Sequence, residues 1–77
     1  MSSNKAVSGK EVVKFLESLG FAVARTTGSH HQMKKEGHPL LVTVPIHANQ
    51  CLKKGLLNSI LSAAGSSREA LQEWLDR

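Results

Sequence analysis

Four histidines and a pair of adjacent lysines are the residues of this 77-residue chain best suited to chemistry. His30, His31, His38 and His47 all lie in the middle of the sequence. Imidazole is the side chain that carries protons near neutral pH, so a histidine free of packing duties points to general acid–base work. His30 and His31 are neighbours, and on a strand neighbours face opposite ways. Met33 is the only clearly apolar residue of the segment His30 to Lys35, so it defines the inward side. His31 and Lys35 are in phase with Met33, whereas His30, Gln32 and Lys34 face away. Strand alternation therefore puts His31 under the rest of the protein, as an imidazole satisfied by one hydrogen bond, and His30 on an open face with Lys34. His30 is the candidate proton carrier. His38, between a turn and Pro39, reads as a solvated loop residue. His47, two residues after Pro45, stands in a loop where packing and binding explain it equally well, and proximity in sequence alone makes it a candidate for the second proton carrier.

Lys53-Lys54-Gly55 precedes an apolar helical pattern. A helix start offers free backbone N–H donors and the positive end of the dipole, and two lysines add mobile positive charge. Lysines there oppose the helix dipole, so a purely structural role explains them poorly. Lys53 and Lys54 are candidate phosphate contacts. Other chemistries find no support. Cys51 is the one cysteine, and the histidines lack the recurrent spacing of a zinc site. Each of Gly28, Gly37, Gly55 and Gly65 stands at a turn or helix end rather than in a phosphate-binding loop. No carboxylate is placed behind a histidine as a serine triad requires. The expected site holds no metal and no cofactor.

The elements that position these residues follow from periodicity. Ser8 and Glu11 form a capping box, and Val12, Val13, Phe15, Leu16 and Leu19 give a helix stripe closed by Gly20. The period then changes to two. Phe21, Val23 and Arg25 alternate with Ala22, Ala24 and Thr26, Gly28-Ser29 turns the chain, and residues 29–35 return as a second strand. After Glu36-Gly37, residues 40–44 form a third, apolar strand stopped by Pro45. Asn49 is a candidate cap for a single turn in the following loop. Leu56, Leu57, Ile60, Leu61 and Ala64 mark a second helix ended by Gly65. Ser66 or Ser67 caps a short last helix with Leu71, Trp74 and Leu75 on its apolar side. A three-stranded antiparallel meander covered on one face by helices is a two-layer α+β domain.

Size and composition set the frame. Seventy-seven residues make one domain, spanning 1–77, with 1–7 expected as a flexible arm. A chain this short buries only about 60% of its unfolded surface, so its stability margin is thin. No apolar run approaches the ~20 residues of a membrane span, and the first residues lack a signal-peptide core. With a single cysteine, a reducing compartment, the cytoplasm, is expected. The net charge of +4 is concentrated: Arg25, Lys34, Lys35, Lys53 and Lys54 face only Glu36 in the middle stretch, while the flanks balance. That suits a polyanionic partner. Phe15, Phe21 and Trp74, the only aromatics, sit at core positions, so any nucleic acid would be held by its backbone.

Three segments, SGKEVVKFLESLGF, TTGSHHQM and VTVPIHANQCLKKGLLNSILSAAG, resemble in order and spacing the HicA toxin family of bacterial toxin–antitoxin systems, the YcfA-like mRNA interferases. The resemblance runs from Ser8 to Gly65. It implies a double-stranded-RNA-binding-domain-like fold, helix, three antiparallel strands, helix, and treats residues 66–77 as a variable C-terminal helix. It also implies a ribonuclease that cleaves mRNA and blocks translation, restrained by a HicB-like antitoxin. The family's catalytic histidine maps to His30 of Gly28-Ser29-His30. Val44-Pro45-Ile46-His47 and Lys53-Lys54-Gly55 match further motif segments. The expected RNA-binding residues are Lys34, His47, Lys53 and Lys54, with Lys34, the lysine nearest to His30 by strand alternation, also expected to stabilise developing charge. The competing functions are a non-catalytic RNA-binding module of the same fold and an adaptor that uses its open sheet face.

Overall fold

The computed structural model describes residues 6–47 and 50–77. Its elements run α1 (Gly9–Ser18), β1 (Ala22–Thr27), β2 (His30–Lys34), β3 (Val42–Pro45), α2 (Lys54–Ala63) and α3 (Arg68–Leu75). The three strands form one antiparallel sheet in the order β1-β2-β3, and the whole is an α+β, double-stranded-RNA-binding-domain-like fold with an added C-terminal helix. Among the described residues no helix is long and apolar enough to cross a membrane.

Local chemistry sets the helix ends. The Ser8 hydroxyl accepts from the Glu11 N–H, and the Glu11 carboxylate accepts from the Ser8 N–H, so α1 begins with both halves of a capping box. At its other end the Phe21 N–H reaches the Leu16 carbonyl and the Gly20 N–H the Glu17 carbonyl, each at 3.0 Å, about a Gly20 with φ of 102°. That paired closure turns the chain directly into β1. α2 ends the same way at Gly65, with Ser66 N–H on Leu61 O and Gly65 N–H on Ser62 O. Ser67 is the cap of α3. Replacing Ser8 by alanine should lower stability by about 0.5–2 kcal/mol. A thermal melt of the variant checks this, and an unchanged midpoint would mean the cap carries no weight.

One core joins the layers. Val12, Phe15 and Leu16 of α1, Met33 of β2, Val42 and Val44 of β3, Leu57, Ile60 and Leu61 of α2, and Leu71 of α3 are buried together. The Phe15 and Trp74 rings meet at 5.6 Å, which fastens α3 to α1. The helices lie over β2 and β3. All six residues of β1 are exposed, so the first strand projects beyond the helical cover.

Several expectations from the sequence are corrected here. Val7, expected in a flexible arm, is a core residue whose carbonyl accepts from Leu52 N–H at 2.8 Å, while Ser8 bridges to Cys51. Its apolar side chain, burial-competent despite polar neighbours, is the reason. Residues 1–5 of that arm, and Asn49 with its expected capping role, lie outside the described residues. β3 starts at Val42 rather than Leu40. Leu41 is out of phase with Val42 and Val44 and so faces away from the core, and Leu40 precedes the ladder; both are more than half exposed. Pro45 does not stop the strand but ends it inside, paired with His30. Leu56 is exposed, because the buried stripe of α2 runs through Leu57, Ile60, Leu61 and Ala64.

His38 is not a solvated loop residue. Its Nε2 lies 2.8 Å from the Ala63 carbonyl at the end of α2, and its ring stands edge-on to Phe21 at 5.3 Å. It ties the β2–β3 connection to α2. His38→Ala should therefore cost about 1–3 kcal/mol, from one hydrogen bond and one aromatic contact. Denaturant unfolding measures the loss; a midpoint equal to that of the parent would refute this role.

Candidate active site

The site begins at the β1–β2 turn. Thr27 pairs with His30 across a two-residue loop, Gly28-Ser29, and Gly28 takes φ of 56°. Two-residue hairpin loops need that left-handed conformation at their first position, and glycine adopts it without a steric cost. His30 is thus the first residue of the central strand, held on both sides by backbone pairing.

Alternation along β2 separates the two adjacent histidines. His31 pairs with Val44 and Met33 with Val42, and both valines are buried, so His31 is on the helix side. Its Nδ1 is buried with no hydrogen-bond partner among the described residues, so the single bond expected for it is not made at that atom. His30, Gln32 and Lys34 point the other way, and the His30 side chain is exposed. Gln32 pairs with Thr43, and His30 with Pro45, so these residues share the open face.

The chain after Pro45 completes the arrangement. The Ile46 N–H donates to the Ser29 carbonyl, carrying the β2–β3 pairing one step past the strand end. Ile46 packs against the core, and His47 follows on the outward side. The His30 and His47 rings stand 6.4 Å apart, centroid to centroid, at an interplanar angle of 82°. Sequence gave His47 no geometric link to His30. The link comes from the register that sets Pro45 opposite His30.

Gly9 supports this corner from beneath. A Cβ built there would run into the Pro45 carbonyl oxygen and touch Ile46 Cδ1. The first turn of α1 therefore rests directly on the backbone that leads to His47.

The lysines are distributed differently. Lys34 shares the face of His30 but lies four residues along the strand, roughly 13 Å away at about 3.3 Å per residue. That separation keeps its ammonium away from a group that His30 could act on, against the charge-stabilising role expected for it. Lys53 is the N-cap of α2 and Lys54 its first residue; both are exposed, no acid lies in the first turn, and among the described residues no side chain caps the helix. Its first backbone donors and two ammonium groups are open to an anion.

Arg25 is the residue sequence reasoning misplaced. Alternation grouped it with Val23, but the register shifts between Val23 and Arg25. Val23 pairs with Met33, and Arg25 pairs with Gln32, so the extra residue, Ala24, turns Arg25 to the open face. No signal in the sequence marks that bulge. The open face then carries Ala22, Arg25, Thr27, His30, Gln32, Lys34, Thr43 and Pro45, without a carboxylate. Among the described residues no three of His, Cys, Asp and Glu come together as metal ligands.

What this corner offers is two exposed imidazoles, close together and edge-on to each other, beside a cationic sheet face: a pair of proton carriers open to an anionic group. A family model described as HicA toxin of bacterial toxin–antitoxin matches residues 9–66, from the start of α1 to just past α2, leaving α3 outside. Comparison with curated proteins finds no match.

Proposed function

This chain belongs to the HicA toxin family of bacterial toxin–antitoxin systems, and we propose that it acts as the ribonuclease of such a pair, cleaving mRNA by acid–base catalysis without a metal. The observation that carries the reading is the close pair His30 and His47, with ring centroids 6.4 Å apart. In the proposed step a neutral imidazole takes the proton of a ribose 2′-hydroxyl, and the 2′-oxygen forms a bond to the adjacent phosphorus. The bond from phosphorus to the 5′-oxygen breaks, and the second imidazole, protonated, gives its proton to that leaving oxygen. The products are a 2′,3′-cyclic phosphate and a free 5′-hydroxyl. Proton transfer by a positioned group contributes about 10²–10⁴-fold. Dependence on the 2′-hydroxyl restricts the substrate to RNA.

Lys53 and Lys54 hold phosphates of the substrate, and Lys34 contacts the strand farther along the sheet. Among the described residues the phenyl and indole rings, Phe15, Phe21 and Trp74, belong to the core or pack against it, so binding rests mainly on the backbone and weakens steeply with salt. Family membership implies an antitoxin partner. We take it to be HicB-like, covering the histidines and lysines with an acidic surface.

The test is incubation of the purified chain with a long unstructured RNA in EDTA. Shorter fragments ending in 2′,3′-cyclic phosphate are expected; RNA shifted on a gel but left whole would identify a non-catalytic binder instead. Because one imidazole must be neutral and the other protonated, the cleavage rate should rise and then fall with pH. A rate that only rises would remove one of the two histidines from proton transfer.

A further inference from the structure

We infer that Arg25 is a phosphate-binding residue that takes the RNA backbone next to the scissile phosphate, so that the bound strand runs across the open face from β2 towards β1. The inference rests on the ribonuclease reading above and adds to it a residue and a direction for the strand.

Three observations carry it. The first is the bulge at Ala24. Without it, regular alternation from Val23 would send Arg25 to the helix side, beside Met33 and His31. Bulges re-aim side chains, and this one delivers a guanidinium to the face that holds His30. The second is distance. Arg25 pairs with Gln32, two residues along β2 from His30, which makes it a diagonal neighbour of His30 with Cα atoms about 7–8 Å apart. A side chain of arginine's length spans that gap, whereas Lys34 lies on the far side of Gln32. The third is charge. The residues around Arg25 on this face are Ala22, Thr27, His30, Gln32, Lys34 and Thr43, none of them acidic. Glu36, the only acid between Ala22 and Ala64, follows β2 on the connection to β3. A guanidinium set among neutral and cationic groups on an exposed strand has no acidic partner on that face among the described residues, and its planar fork matches a phosphate in bidentate fashion.

The experiment uses the His30→Ala chain, in which cleavage is expected to be about 10²–10⁴-fold slower, and a short labelled unstructured RNA followed by fluorescence anisotropy across a salt series. Adding Arg25→Ala should weaken binding about tenfold and reduce the slope of log affinity against log salt by about 0.7, the value for one lost contact to a single strand. Arg25→Lys should restore the slope and only part of the affinity, because the charge returns without the fork. Lys10→Ala removes the same charge from α1, in the layer on the other side of the sheet, and should leave the slope unchanged. An Arg25→Ala chain that behaves like Lys10→Ala overturns the assignment while the ribonuclease reading stands. Absence of RNA binding by the His30→Ala chain at low salt would sink that reading, and this inference with it. Thermal melts of each variant confirm that folded protein is being compared.

Discussion

Replacing His30 by alanine should lower the rate of RNA cleavage by about 10²–10⁴-fold while leaving the fold intact. Both halves of that expectation come from placement. His30 is exposed on the open face and belongs to no part of the core, so truncating it should shift stability by no more than about 0.5 kcal/mol. No neighbour can take over its task. His31 follows it in sequence but faces the helices, and His38 is engaged with Ala63 and Phe21. Only His47 shares its corner, and a single imidazole cannot both accept and donate in one step. The same substitution should relieve growth arrest when the chain is induced in cells. A folded His30→Ala protein that cuts RNA within a few-fold of the parent would remove this residue from the mechanism.

Gly9→Ala should destabilise the protein, against the usual preference of a helix for alanine over glycine. In an ordinary helix this substitution stabilises by about 1 kcal/mol. Here the sign reverses, because the added methyl group meets the carbonyl oxygen of Pro45 and the end of the Ile46 side chain. A backbone oxygen cannot swing aside as a side chain can, so α1 must lift from β3 or the strand end must move. Such overpacking costs typically about 1–3 kcal/mol, a large share of the margin of a domain this size. At roughly 4–8 °C per kcal/mol, a fall in melting temperature of several degrees is expected. Cleavage should drop further than stability alone explains, because the displaced backbone leads to His47. Gly55→Ala makes the contrast: a Cβ there meets nothing within 4 Å, so the ordinary helix preference should hold and the midpoint should stay or rise. Equal effects from the two substitutions would show that helix propensity, not the contact with Pro45, governs position 9.

The helix ends and the division of the two adjacent histidines were readable from the sequence because they depend on neighbours a few residues away. Ser8 and Glu11 cap each other, Gly20 and Gly65 close their helices, and Met33 alone fixes which side of β2 is inward. What escaped depends on partners far along the chain. His38 finds Ala63 twenty-five positions later, Val7 is anchored by Leu52, and His47 meets His30 only through the β2–β3 register. The bulge at Ala24 is the sharpest case. Nothing in Val23-Ala24-Arg25 announces it, because an extra residue is defined only against the strand it pairs with, yet it decides which face receives the guanidinium. Apolar character alone also misled at Leu40, Leu41 and Leu56, where phase and strand end leave large side chains exposed.

The account stands on His30 and His47 acting as one unit. Single-turnover cleavage by the parent, His30→Ala, His47→Ala and the double variant tests that unit directly. If the two imidazoles serve the same step, each single substitution should cost about 100-fold or more, and the double should be little slower than the worse single, since residues that act together lose their effects together. A His47→Ala chain that cleaves RNA at the parental rate, with only His30→Ala impaired, would contradict the paired mechanism.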